Sequence, residues 1–315
     1  MPNQRIIGLD LGGTKCAVSE WHYGQKIREH YRFHTGGPRE TLAEIERVIG
    51  RLMPGADPVF GIACGGPLDA ARGIILSPPN MPKWKRVRVT QYITERFGGC
   101  AYLMNDANAN ALAEWRFGAG RRCRSMIYLT AGTGMGAGLV LDGRLYEGVS
   151  GNAGEIGHVR LASTGPVGFR KAGSFEGFCS GGGLIQLARF LPKSQRPRKV
   201  SAWMRQHPTA QAIADAARAG NPAARAVFAE SGRRLGQALA MIVDMLNPER
   251  IVIGSLWLRC RDLLEPEVRR VLRAEALPDS LRACRIVPSS LGENLGNYGA
   301  IAAGLYGADQ LHRLN

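Results

Sequence analysis

The chain has 315 residues, 45% of them hydrophobic, and a formal net charge of +15, which suits about two folded domains and excludes a disordered or fibrous chain. Its seven cysteines (Cys16, Cys64, Cys100, Cys123, Cys179, Cys260 and Cys284) are scattered without a C-x-x-C pair, so neither a disulfide framework nor a zinc ribbon is indicated. No apolar run approaches the roughly 20 residues of a membrane span, and residues 1–5 lead into a strand without a signal-peptide pattern, so a cytoplasmic protein is expected.

In chain order, residues 6–18 hold a short apolar run, a Gly-Gly-Thr turn and a second apolar run, the pattern of two buried strands joined tightly. Residues 21–33 extend the meander. Leu42, Ile45, Val48, Ile49 and Leu52 predict an amphipathic helix over 41–53. A buried strand at 59–63 precedes the turn residues 65–67, and a Pro-rich loop over 77–82 holds Asn80. The strand 101–104 runs into Asn105-Asp106 and an Ala-rich helix over 107–117, which sets Asp106 at or near a helix N-terminus. Residues 118–120 open a second unit, and 127–141 repeat the strand, Gly-Thr turn, strand plan. Glu155 and His158 follow in a Gly-rich stretch, and 162–174 read as a loop before Glu176. Helices are expected over 209–219 and 223–246, a strand over 251–253 ending in Gly254, and a last helix from 294.

The doubled Gly-Thr turn carries the chemistry. Glycines allow positive φ and close approach to a ligand, and successive N–H groups in such turns make an anion-binding concavity. Two of them facing across a cleft would grip one polyphosphate, which points to ATP. Neither turn has the Lys-Ser/Thr pair of a Walker A loop, and the second runs into a strand rather than the helix of a dinucleotide fingerprint. Two ordinary glycine hairpins are the plainer alternative. The excess charge is mostly Arg, spread along the chain with modest clusters at 83–88, 121–124 and 193–199. Spread this way it reads as a solvated surface, with an anionic partner as the alternative, and a nucleic-acid partner is not expected.

Asp10-Leu11-Gly12-Gly13-Thr14-Lys15, Asn105-Asp106, the stretches 132–136 and 154–159, then 251–254 and 291–294 occur in an order that resembles the ROK family of bacterial sugar kinases, open reading frames and sugar-responsive repressors. The resemblance covers essentially the whole chain. It implies an α/β, actin-like ATPase fold of the hexokinase type, with two duplicated lobes around a central cleft. The first lobe would be 1–117 with the C-terminal helix 296–315, and the second 118–295. Asp106 would be the general base of phosphoryl transfer, its plainer role being a helix cap. Asp10 would hold Mg²⁺ through water, its plainer role an Asx turn. Gly12, Gly13, Thr14, Lys15, Thr133 and Gly134 would contact ATP phosphates, and Gly254 the nucleoside. Asn105, Glu155, His158 and Glu176 would bind sugar, with Asn80 and Gly66 as weaker candidates.

The sequence departs from the family where most members carry zinc. Aligned on 173–176, Val167, Phe169 and Ser174 stand where three cysteines would be. Structural zinc takes four ligands, so no zinc is predicted, and His158 must be oriented by a hydrogen bond or by packing. The expected activity is ATP-dependent phosphorylation of the 6-hydroxyl of glucose, another hexose or an N-acetylhexosamine. A non-catalytic sugar sensor of the same fold is the alternative, and polyphosphate is a rival donor. A homodimer would be in keeping with the family.

Overall fold

The computed structural model describes residues 5–52, 57–132, 134–190 and 209–314. The chain forms two compact units, one of Met1–Arg122 with Ser290–Asn315 and one of Cys123–Ser289.

The first unit opens with β1 (Arg5–Leu11), β2 (Lys15–His22), β3 (Arg28–His34), α1 (Pro38–Leu52) and β4 (Val59–Cys64). A small sheet follows, made of β5 (Leu68–Asp69), β6 (Ile74–Ile75) and β7 (Val87–Arg88). Then come α2 (Val89–Phe97), β8 (Cys100–Asn105) and α3 (Asp106–Phe117). The main sheet has the order β3-β2-β1-β4-β8, with β1 antiparallel to β2 and parallel to β4, and β4 parallel to β8. Ile6, Ile7, Leu9 and Leu11 are all buried, as a central strand covered on both faces requires. The apolar stripe of α1 packs on Phe60, Ile62 and Trp84.

The second unit contains β9 (Met126–Ala131), β10 (Met135–Leu141) and β11 (Arg144–Tyr146), a 3₁₀ turn at Ile156–His158 and a hairpin of β12 (Val167–Gly168) and β13 (Lys171–Ala172). It continues with α4 (Phe175–Cys179), α5 (Gly181–Phe190), α6 (Ala210–Arg218), α7 (Pro222–Leu246), β14 (Arg250–Ile253), α8 (Leu256–Glu275), α9 (Pro278–Ala283) and β15 (Arg285–Pro288). Its main sheet runs β11-β10-β9-β14-β15, again three antiparallel strands followed by two parallel ones. The Asn-Pro pair at 221–222 starts α7, with Asn221 Oδ1 accepting from the N–H groups of Ala223 and Ala224. Asn247, left-handed at φ 40°, ends it.

The last helix, α10 (Leu295–Leu314), belongs to the first unit. Gly304 faces Gly61 of β4 so closely that a side chain at Gly61 would collide with the backbone of Ala300 and Gly304. Among the described residues no helix is long and apolar enough to cross a membrane, and the seven cysteines are free thiols.

Candidate active site

In the first unit, the parallel strands β1, β4 and β8 end at one edge of the sheet, the side where α/β sheets take ligands. The β1–β2 turn is closed by the Gly12 N–H donating to the Lys15 carbonyl at 3.1 Å and braced by Thr35, whose Oγ1 donates to the Gly12 carbonyl at 2.6 Å. Gly13, Thr14 and Lys15 are exposed at its tip. Neither Gly12 nor Gly13 adopts positive φ, and nor does Gly134 in the second turn, which corrects the expectation of left-handed turns. Close approach accounts for the glycine instead. A methyl group on Gly13 would lie 2.5 Å from Asn80 Cβ and 2.8 Å from its carbonyl oxygen. The Pro-rich loop is thereby set beside this turn.

Asn105 and Asp106 follow β8 directly. Asn105, extended at φ −60° and ψ 140°, caps α3, its Oδ1 accepting from the Ala107 N–H at 2.9 Å. The capping duty that Asp106 could have held falls to its neighbour, and the Asp106 side chain remains open to solvent. Gly65 and Gly66 lie against this pair: a methyl group on Gly66 would sit 3.5 Å from Asn105 Nδ2, and one on Gly65 3.8 Å from Asp106 Oδ2.

Though accessible at its surface, Asp106 is set deep among protein atoms. This burial raises its carboxyl above the usual range, against the backbone N–H groups of Ala107 and of Asp106 itself. Burial, then the charge of Asp106, pushes Asp10 up to about 6, with Arg32 opposing and Glu29 adding. Arg32 donates to Glu29, which also accepts from Asn297 Nδ2 at 2.6 Å. The first turn of α10 abuts Asp10, and any side chain on Gly296 would strike its carboxylate.

In the second unit, the β9–β10 turn is held by Glu176. Its Oε2 accepts from the Met135 N–H at 2.9 Å, and a methyl group on Gly134 would lie 3.0 Å away. Gly157 packs on the Met135 carbonyl and the Glu176 stem, while the Ala137 N–H donates to the Gly154 carbonyl at 2.8 Å. Gly134, Glu176 and the Glu155–His158 segment therefore come together, with Glu155 exposed. At the neighbouring end of β14, the Gly254 N–H donates to the Leu129 carbonyl at 2.9 Å, and a methyl group on Gly254 would lie 2.6 Å from Tyr128 Oη. Ser255 Oγ lies 3.4 Å from Thr130 Oγ1. Thr133 falls outside the described residues.

Packing orients His158. Its ring lies 4.5 Å from that of Phe169 at 47°, and Lys171 Nζ donates to its carbonyl at 2.7 Å. Phe169 and Arg170, at φ 47° and 62°, form the β12–β13 turn with the two positive φ values of type I′. The buried Ser174 Oγ accepts from the N–H groups of Gly168 and Gly177, both at 3.1 Å. Gln186 pairs both main-chain groups of Val167 at 2.9 Å. The residues aligned with cysteines are thus bonded within the loop or packed on His158. Among the described residues no group of three or more His, Cys, Asp or Glu could hold a metal ion.

Sequence reasoning missed Thr35, Thr130, Ser255 and Phe169. The Thr35-Gly36-Gly37 stretch was a readable turn signal, whereas Phe-Arg is not the Asn-Gly expected of a type I′ turn.

The ROK family model matches residues 6–304. The glucokinase of Thermotoga maritima is 32% identical, over 95% of this chain and 97% of its own. The xylose repressor of Caldicellulosiruptor bescii is 28% identical, over 94% of this chain and 77% of its own. Among solved structures, a ROK family glucokinase from Streptomyces griseus in complex with glucose and AMPPNP superposes with a TM-score of 0.74 at 27% identity, over 96% of this chain and 99% of that one.

Proposed function

This chain belongs to the ROK family and has its α/β, actin-like ATPase fold of the hexokinase type, and we propose that it is an ATP-dependent sugar kinase. The acceptor is the 6-hydroxyl of a hexose, glucose or a close relative, or of an N-acetylhexosamine. The observation that carries this reading is the division of labour after β8: Asn105 caps the helix, which leaves Asp106 with a solvent-accessible carboxylate and a raised proton affinity.

A general base works best when its pKa is lifted toward the working pH. Asp106 accepts the proton of the sugar hydroxyl as that oxygen attacks the γ-phosphorus and ADP departs. Asn105 Nδ2, unused in the cap, donates to a sugar hydroxyl beside Gly66. Glu155, His158 and Glu176 contribute further polar groups, with Phe169 fixing the His158 ring. Gly12, Gly13, Thr14, Lys15, Thr133 and Gly134 would contact ATP phosphates and Gly254 the nucleoside, while Asn80, beside Gly13, is a weaker candidate for the sugar. Asp10 suits Mg²⁺ held through water: a carboxyl raised to about 6 gains from a cation, and Mg²⁺ keeps several waters. Bound there, Mg²⁺ would offset the charge of the phosphate oxygens.

ADP release from Mg²⁺-ATP, followed across hexoses and N-acetylhexosamines with a parallel arm on polyphosphate, tests the reading. Turnover on one sugar supports it and identifies substrate and donor. A second reading, a sugar-sensing regulator, draws on the likeness to the xylose repressor. Sugar binding by calorimetry without turnover on any member of the panel would favour it.

A further inference from the structure

We infer that Thr35 is a positioning residue for the nucleotide: it holds two carbonyl groups of the β1–β2 turn on the far side, so that the N–H groups joined to them face the phosphates. The role rests on the ATP site proposed above and adds to it a residue that acts through the turn. The Thr35 hydroxyl donates to the Gly12 carbonyl at 2.6 Å, and the Thr35 N–H donates to the Thr14 carbonyl at 3.0 Å. A trans peptide is planar, with its N–H opposed to its C=O, and both of these peptides are trans. The N–H of Gly13 and the N–H of Lys15 therefore point away from Thr35. Gly13, Thr14 and Lys15 are exposed at the tip of the turn, where successive N–H groups suit an anion and a carbonyl oxygen would repel it.

Thr35 is itself held in place. The Gly36 N–H donates to Thr41 Oγ1 at 3.0 Å, and the Gly36 carbonyl accepts from Trp84 Nε1 at 3.2 Å. Thr41 and Trp84 are 2% and 1% exposed, so the anchor is a buried one. Behind the hydroxyl lies Cys16, its Sγ 3.3 Å from Thr35 Oγ1. A hydroxyl has one proton to give, here spent on the Gly12 carbonyl, so the thiol donates and the hydroxyl accepts. Burial, above all, pushes that thiol up to about 11, which keeps its proton in place. A chain of hydrogen bonds thus runs in one direction from Cys16 through Thr35 to Gly12. With the hydroxyl gone, the peptide between Gly12 and Gly13, flanked by two glycines, is free to turn its oxygen toward the phosphates.

The full chain is tested with Mg²⁺ and without sugar. Affinity for ATP is measured by calorimetry, and for adenosine by ligand-detected NMR, in the parent, Thr35→Val and Thr35→Ser. Valine keeps the shape and removes the hydroxyl, whereas serine keeps the hydroxyl. Thr35→Val should weaken ATP at least about tenfold, as the loss of a charge-assisted hydrogen bond would, and adenosine by less than about twofold. Thr35→Ser should hold ATP within about threefold of the parent. Lost packing alone would lower the unfolding midpoint without separating the two ligands. In the parent, the Gly13 and Lys15 amide resonances should shift on adding tripolyphosphate, and resonances that stay in place would overturn the proposal whatever the variants do. Unchanged ATP affinity in Thr35→Val, or an equal loss for ATP and adenosine, would overturn the role of Thr35 and leave the ATP site standing. A parent chain that binds no ATP would remove the site and the role of Thr35 together.

Discussion

Asn105 and Asp106 are adjacent in sequence and separate in duty, and single substitutions should reveal it. Asn105→Ala removes a helix cap and should cost about 1 kcal/mol of stability, read from urea unfolding. Asp106→Asn removes no cap and neutralises a carboxyl that burial raises, so its unfolding midpoint at pH 7 should be no lower than that of the parent chain. Asp10 contributes in the same sense. Its carboxyl, raised by burial and by Asp106 to about 6, holds a proton in the folded state between about pH 4 and 6 that the unfolded chain has released. Stability therefore falls as pH rises through that window. Asp10→Asn should stabilise the unliganded protein at pH 7 by on the order of 2–3 kcal/mol, and by little near pH 4. Equal effects at both pH values would show that Asp10 is not raised.

At the scale of elements, β1–β4, β8–β10 and β14 and the helices α1, α3 and α7 were legible because apolar period and end residues agree in each, whereas the short β12–β13 hairpin lies in a stretch that reads as a loop. The phosphate turns were legible as a repeat, but the reason for their glycines was not: close approach to Asn80 or Glu176 is tertiary, and sequence offers only the possibility of positive φ. The helix α8 was hidden by Pro266, which the fold accommodates beyond a kink where Cys260 leaves helical geometry at φ −130°. Position 255 was hidden for the converse reason, since a Ser holds φ 52° and ψ −111° between β14 and α8, where only Gly is unstrained. Ser255→Gly should stabilise the chain by about 1 kcal/mol or more, and a destabilised variant would show that the bond to Thr130 outweighs the strain. Gly61→Ala should cost about 3 kcal/mol or more, because α10 leaves no room beside β4.

At the scale of the molecule, the sequence repeat reappears as a repeat of sheet topology, β3-β2-β1-β4-β8 and β11-β10-β9-β14-β15. The chain leaves the first unit after Arg122 and re-enters it at Ser290, and the fully buried Glu114 fastens both passages. Its carboxylate accepts from the N–H groups of Ala119 at 2.6 Å, Ser290 at 3.0 Å and Leu291 at 3.2 Å. Nothing in the Ala-rich run of α3 marked this residue, because two of its partners come from 176 and 177 positions away. Glu114→Ala strands several buried donors and should cost about 3 kcal/mol or more. The role of Asp106 in transfer is tested most directly by comparing sugar affinity and turnover in the parent chain and the Asp106→Asn variant, with Mg²⁺-ATP and the best sugar of the panel. Sugar affinity within a few-fold of the parent, with kcat lower by about 10²–10⁴, is expected. Turnover that survives the substitution would contradict the assignment of Asp106 as the base.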